Sequence, residues 1–293
     1  MGNIINEEFL QQVETLQMLI KNNVAGQFGG NHQSKSFGAS CEFSDYRDYV
    51  AGDDISKIDW NAYARFDKLF LKLYLDERQM HNKIYIDASR SMMFGDAKKA
   101  EQTIKIAATL AYLSICQMDK VSIYVIRGNK LNQIISGIIG KEAFVNSIHK
   151  LNEIEFYGDS SITEAILPES VGYGDGMSVI ISDFLTDSNY EEAIDYLVSK
   201  RRHVFALQLL SREEINPFVR GKVHFLDSED VEKTYRKNID KEIIKAYKLA
   251  VEYATNRIRN YCNARGADYA LVSAEDSIAE IFLSKLNEMG VVK

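Results

Sequence analysis

Proline is nearly missing from this sequence, with Pro168 and Pro217 the only two in 293 residues. No low-complexity stretch or internal repeat stands beside them, so the chain reads as one continuous folded unit behind an N-terminal extension. Cysteine is equally scarce. Cys41, Cys116 and Cys262 are odd in number, far apart and without CxxC or Cys/His ligand spacing. That excludes a disulfide framework and a structural zinc site, and it predicts thiols in a reducing compartment, the cytoplasm. None of the five histidines (His32, His81, His149, His203, His224) stands at ligand spacing from another, and none is placed as a nucleophile's base. The phosphate-cradling glycine patterns of nucleotide sites are absent too. No apolar run is long enough to span a bilayer. Residues 1–6 are polar, so no secretory leader is expected, and Asn6 stands where a myristoylation signal needs Ser or Thr. Positive charge is in deficit as well. A net charge of −7 argues against a role dominated by nucleic acid.

The remaining pattern is that of an ordinary soluble α/β protein, with 46% hydrophobic and 26% charged residues. Phe9, Val13, Leu16 and Ile20 predict a helix over 6–22, and a Gly/Ser/Asn-rich loop follows over 26–40. Leucines on alternate positions over 69–75 predict a strand, and a hairpin or antiparallel edge is expected before the next strand, which ends at Asp87. Helices are expected over 98–118, 142–151, from 161 to 167, over 190–200 and 240–264, and finally over 278–289. Between them lie strands over 121–126, 131–135, 178–181, 203–210, 223–226 and 270–272. In the long helix Ile243, Tyr247, Ala250, Ala254, Ile258 and Tyr261 should face inward. Strands alternating with helices predict a doubly wound, mostly parallel sheet with helices on both faces. Residues 1–78 form the extension, with an antiparallel hairpin, and 79–293 the α/β domain.

Chemistry concentrates in Ile84-Tyr85-Ile86-Asp87-Ala88-Ser89-Arg90-Ser91. An apolar strand ends there in a carboxylate followed by hydroxyls at every second position, where the sheets of α/β proteins collect ligands. Three hard oxygens with little bulk suit Mg²⁺, Mn²⁺ or Ca²⁺ rather than zinc or copper. Asp-x-Ser-x-Ser resembles the first loop of the metal-ion-dependent adhesion site (MIDAS) of von Willebrand factor A domains. Two later loops supply partners: Gly158-Asp159-Ser160-Ser161-Ile162-Thr163, and Ser182-Asp183 at a strand end. The expected metal set is Asp87, Ser89, Ser91 and Asp183 with one hydroxyl of the middle loop, open among Ser160, Ser161 and Thr163.

A second cluster lies upstream: Glu42-Phe43, Arg47-Asp48-Tyr49, Gly52-Asp53-Asp54, Ile58-Asp59-Trp60 and Ala64-Arg65, then Leu71-Lys72 and Asp76-Glu77-Arg78. With the Asp87 loop it resembles the domain of unknown function 58 family, strongly over 38–92 and in element order as far as Ser182-Asp183-Phe184. The resemblance implies a von Willebrand factor A-like core and a bacterial or archaeal protein commonly encoded beside MoxR-type AAA+ ATPases. It matches Asp87, Ser89 and Ser91 to the first metal loop, Ser160 to the middle loop and Asp183 to the third. Here Gly158-Asp159 replaces the family's usual Gly-Gly. Asp53 and Asp54 are expected to shape a turn, Asp59 to pair with Arg47 or Arg65 in a buried ion pair, and Trp60 to anchor this segment on the main body. The Lys200-Arg201-Arg202 and Tyr235-Arg236-Lys237 runs are expected to be solvated ends.

The expected function is a non-enzymatic, metal-dependent protein-binding module whose cation accepts a partner's carboxylate, working with a MoxR-type AAA+ ATPase. The alternative is a metal-dependent phosphoester hydrolase, for which only Asp159 or Glu164 offers a base.

Overall fold

The computed structural model describes residues 3–27, 43–74, 79–94, 98–169, 172, 174–185, 189–217, 221–226, 234–239 and 241–286. In chain order they form helix α1 (Glu7–Gln27), strand β1 (Phe43–Asp48), helix α2 (Trp60–Phe66), and strands β2 (Phe70–Tyr74) and β3 (His81–Asp87). Helix α3 (Lys98–Cys116), strands β4 (Lys120–Arg127) and β5 (Lys130–Ile138), and helices α4 (Lys141–Ile148) and α5 (Ile162–Ile166) follow. Next come strand β6 (Met177–Ser182), helix α6 (Tyr190–Ser199), strand β7 (His203–Leu210) and helix α7 (Arg212–Ile215). Strands β8 (Gly221–Leu226) and β9 (Thr234–Ile239), helix α8 (Lys241–Ala264), strand β10 (Asp268–Ser273) and helix α9 (Ile278–Glu280) complete the order. The last helix runs on as a π-helical turn over Ile281–Leu286.

Six strands make the central sheet in the order β10-β7-β6-β3-β4-β5. All neighbours are parallel except β5, which returns antiparallel along β4. Strand β3 is central and buried on both faces, which is why its apolar run is continuous. Ile84 and Ile86 enter one core with Ile104, Ala107 and Ala111 of α3, whereas Tyr85 enters the other with Ile162, Ile166 and Ile194. Each of these large side chains contributes roughly 1.5–3 kcal/mol by leaving water. The sheet is thus doubly wound, with helices on both faces as the alternation predicted.

Two compact units divide the chain, Ala25–Gln79 and the remainder. The division differs from the sequence boundary at residue 78 because the first helix belongs to the main core. Phe9, Val13, Leu16 and Ile20 are buried there with Phe144 and Ile148, and Asn152 Oδ1 accepts the Ile5 amide at 2.8 Å. In the smaller unit β1 pairs antiparallel with β2, so the antiparallel sheet exists but is not a hairpin leading into β3. Strands β8 and β9 form a separate antiparallel pair. Tyr235, Arg236 and Lys237 therefore lie within a strand.

Two further expectations, on α8 and on Arg202, are corrected. The first half of α8 is exposed, with Ile243 and Tyr247 facing solvent, whereas Thr255, Ile258 and Cys262 are buried. Within its own unit Trp60 is 58% exposed and stands edge-on to Tyr63. Arg202 is buried, not solvated: its guanidinium donates to the carbonyls of His81 and Met177 and to Ser178 Oγ. Cys262 is a free thiol pushed up to about 12 by burial, as suits an inert core group. Cys41, His32, most of the expected 26–40 loop and the Asp76-Glu77-Arg78 piece lie outside the described residues.

Candidate functional site

The chain leaves β3 toward β4 on one side and later returns through β6 on the other, so the strand order reverses between β3 and β6. Loops diverge at such a switch point and leave a crevice at the carboxyl ends of the strands. Ile86 lies opposite Ile181 in that pair, which puts Asp87 beside Ser182 at the mouth of the crevice. Asp87 is 1% exposed. Its Oδ1 accepts the Ser89 amide at 2.9 Å and the Ser160 hydroxyl at 2.7 Å, while Oδ2 accepts the Ser182 hydroxyl at 2.5 Å. Ser89 Oγ and Ser91 Oγ share a hydrogen bond at 3.1 Å. Burial is the main cause raising the Asp87 carboxyl above the ordinary range, and the nearby negative charge of Asp183 adds to it. The three hydrogen bonds oppose that shift and only partly offset it.

The middle loop is laced to the first by backbone bonds. The Arg90 amide donates to the Gly158 carbonyl at 2.8 Å, and the Tyr157 amide to that of Ala88 at 3.0 Å. Gly158 has φ of +71°, the left-handed turn that brings Ser160 back over the strand end. Gly128 then clamps the loop, donating to Asp159 and accepting from Ser161. Of the three hydroxyls left open by the sequence, that of Ser160 reaches Asp87. Ser161 instead caps α5 through the Glu164 amide, and Thr163 donates to the Asn189 carbonyl.

Asp183 is 2% exposed, and its surroundings differ from those of Asp87. Its Oδ2 accepts Lys99 Nζ at 3.0 Å and its Oδ1 the Leu185 amide at 3.2 Å. Lys99, from the first turn of α3, is fully buried and also donates to Glu214 Oε1 at 2.7 Å. Glu214 belongs to a capping box: its Oε2 accepts the Ser211 amide, and Ser211 Oγ accepts the Glu214 amide in return. The turn after Asp183 is tight, with Phe184 at φ +51° held by the Ser182 hydroxyl and packed on Tyr190. A left-handed non-glycine residue costs of order 1 kcal/mol and clusters at functional sites.

Sequence reasoning thus assembled Asp87, Ser89, Ser91, Ser160 and Asp183 at one sheet edge and named Ser182 beside Asp183, but missed Lys99 and Glu214. The signal for Lys99 was its place one turn before Thr103 and two before Ile106 and Ala107, on the stripe that α3 buries. The Glu214 signal was the Ser-x-x-Glu box after a buried strand. Upstream, the second carboxylate cluster is structural. Arg47 pairs with Asp53 at 2.8 Å in an exposed contact, and Asp54 caps the turn over Ile55–Lys57. Asp59 caps α2, accepts the Tyr46 hydroxyl at 2.7 Å and pairs with Lys72 at 3.3 Å, so its partner is neither Arg47 nor Arg65. Hydrogen bonding holds all three carboxyls below the usual range, chiefly from Arg47, Ser56 and Tyr46 respectively.

No group of three or more His, Cys, Asp or Glu is gathered among the described residues. A cation at the switch point would therefore be held largely through hydroxyls and water. The side-chain donors to Asp87, the hydroxyls of Ser160 and Ser182, fit that role as hard oxygens. Asp183 fits less well, since an ammonium already occupies one of its oxygens.

Among solved structures the chain is similar to BatB from Bacteroides thetaiotaomicron, at 16% identity and TM-score 0.46, over 72% of this chain and 99% of that one. It is similar to the SpRpn10 VWA domain at 7% and 0.39, over 71% and 95%. Manganese-loaded TRAP protein from Plasmodium vivax follows at 12% and 0.38, over 69% and 72%. These scores are low, and the fold stands on the strand order and registers above. Uncharacterized proteins of Mycobacterium tuberculosis and Mycobacterium bovis are 24% identical over 236 residues, 78% of this chain and 73% of theirs. A family model described as protein of unknown function DUF58 matches residues 45–257, well over half of the sequence, and the chain belongs to that family.

Proposed function

We propose that the chain is a metal-dependent protein-binding module in which Asp87, Ser89, Ser91, Ser160 and Asp183 would hold a divalent cation (Mg²⁺, or Mn²⁺ or Ca²⁺). The cation would supply an open coordination position for a partner's carboxylate. One observation carries the reading: a carboxylate shut away from water at the switch point, met by two hydroxyls and one amide and, among the described residues, by no cationic side chain. A buried carboxylate satisfied only by neutral donors remains poorly compensated, and a small cation is the counter-charge that its surroundings accommodate. Each serine contributes lone pairs once its proton turns outward.

Binding is favoured over hydrolysis by where the available bases lie. Asp159 and Glu164 are both exposed, and neither joins Asp87 or Asp183 in a hydrogen bond among the described residues. A general base must stand within hydrogen-bond reach of the water that it activates. The family resemblance makes a MoxR-type AAA+ ATPase, or its client, the expected cytoplasmic partner.

The test is calorimetry of chelator-stripped protein with Mg²⁺ and Mn²⁺, beside Asp87→Asn, followed by capture of the purified ATPase with and without EDTA. Cation binding and capture that both vanish in Asp87→Asn are expected. Equal capture in EDTA, or undiminished cation binding by the variant, would overturn the reading.

A further inference from the structure

The two aspartates at the switch point are compensated in different ways. Asp87 is met by hydroxyls and one amide. Asp183 is met by the ammonium of Lys99, which has no exposed surface and divides itself between Asp183 at 3.0 Å and Glu214 at 2.7 Å. We infer that Lys99 is a built-in counter-cation that competes with a divalent ion for Asp183, and that Glu214 sets the strength of this competition by drawing the ammonium away. This rests on the cation-site reading above.

The geometry supports the competition directly. Asp183 Oδ1 already takes the Leu185 amide, so Oδ2 is the oxygen not tied to the backbone, and Lys99 holds it. An ammonium has three protons and no lone pair, so it cannot turn to coordinate a cation as a serine hydroxyl does. A divalent ion beside Asp87 therefore faces a full positive charge across one shared carboxylate. Glu214 is anchored independently, since its other oxygen is fixed by the Ser211 amide at the cap of α7. It can keep Lys99 paired when Asp183 leaves. Lys99 and Glu214 are thus positioning residues: they act on the cation through Asp183, and the contact between them decides how much of Asp183 is available.

A charge-matched set of variants separates this from a merely structural role. Three carboxylates against one ammonium leave two formal negative charges in the wild type. Lys99→Met/Glu214→Gln leaves the same two, on Asp87 and Asp183, while Met fills the space of the lysine stem and Gln keeps the capping box. Any change in cation affinity then reports the freeing of Asp183 rather than a change of net charge. Glu214→Gln alone leaves Lys99 to Asp183 only.

The experiment is titration calorimetry of chelator-stripped wild type, both variants and Asp87→Asn with Mn²⁺ and Mg²⁺, with far-UV circular dichroism to establish that each is folded. The expected order is at least tenfold tighter binding in Lys99→Met/Glu214→Gln and weaker binding in Glu214→Gln. A purely structural ion cluster would shift the melting temperatures of both variants without this opposed change in affinity. Unchanged or weaker binding by the double variant, with wild type binding and Asp87→Asn silent, would overturn the inference and leave the cation-site reading standing. Binding by the double variant but not by wild type would support the inference and overturn the reading of the native chain as metal-dependent. Silence in every protein would overturn both.

Discussion

Removing Lys99 tests the electrostatics of the switch point through stability alone. In Lys99→Met the stem is replaced by a side chain of similar length, so little cavity forms, and the loss is that of a charge. The ammonium is fully buried and its partners are 2% and 11% exposed at the side chain, so water cannot take its place. Breaking a buried ion pair by deleting one partner costs about 3–5 kcal/mol, because the remaining charge is left uncompensated. Here two carboxylates are left, which puts the expected loss at the upper end, about 5 kcal/mol. That is a large part of the roughly 5–15 kcal/mol that holds an ordinary domain folded.

The control is the triple variant Lys99→Met/Asp183→Asn/Glu214→Gln. It keeps the acceptors for the Leu185 and Ser211 amides and removes all three charges. Replacing a whole buried ion cluster by neutral groups is often neutral or stabilising. Urea unfolding followed by circular dichroism at pH 7 should therefore show a large fall in midpoint for the single variant and recovery in the triple. A single-variant loss under about 1 kcal/mol, or a triple variant as unstable as the single, would refute the reasoning, since the cost would then lie elsewhere than in unpaired charge.

Asp87→Asn should be as stable as wild type or more so at pH 7 without metal, and the difference should vanish in acid. A folded-state pKa raised by burial means stability that is full below the ordinary Asp range and lost as pH rises, and an amide escapes that loss; thermal melts at pH 4 and 7 check it. Burial, with Lys83, Lys120 and Arg202 nearby, holds His81 down at about 4 against its ordinary 6.5. The folded state then resists protonation, so stability is full above pH 6.5 and falls by up to about 1.4 kcal/mol per unit toward pH 4. Urea midpoints across that window should fall less steeply in His81→Gln. Gly176→Ala should cost about 2 kcal/mol or more, since the new methyl would stand 2.5 Å from the His81 carbonyl oxygen at φ +138°; a melting-temperature shift measures it. Trp60 is the only tryptophan and is exposed, so its fluorescence should be that of a wetted indole, quenched by acrylamide before denaturant is added, and Trp60→Ala should cost under about 0.5 kcal/mol.

The central sheet was legible because burial on both faces writes itself as an unbroken apolar run, as in Ile84-Tyr85-Ile86, and because α3 repeats its buried stripe over five turns. Patterns that depend on a partner were less legible. The periodicity of α8 gives a face that favours burial, but Ile243 and Tyr247 remain exposed because periodicity does not say what covers a helix. Strand β9 reads as a charged run, since its identity comes from pairing with β8 rather than from alternation in Tyr235-Arg236-Lys237. Within Lys200-Arg201-Arg202 one residue turns inward: Arg202 meets carbonyls left open where the strands begin, and a charge run cannot show which member does so. At the site, the Asp-x-Ser-x-Ser spacing placed Asp87 and its serines because strand end and loop are local. Lys99 and Glu214 reach Asp183 across sequence separations of 84 and, through Lys99, 115 residues, a juxtaposition that the topology creates.

That topology also explains why the two aspartates are treated so differently. Asp87 sits where the first and middle loops are stitched together by backbone bonds, and short serines fill the gap between them. Asp183 lies one strand further along, over the first turn of α3, where a long side chain is needed to reach it and Lys99 provides one. A hydroxyl that donates to a carboxylate can rotate and present its lone pairs to a cation with no movement of backbone, whereas an ammonium can only leave. The half of the site built on Asp87 can therefore exchange a proton network for a metal ion by turning hydroxyls. The half built on Asp183 must first break an ion pair, and Glu214 lowers that cost by keeping the ammonium paired.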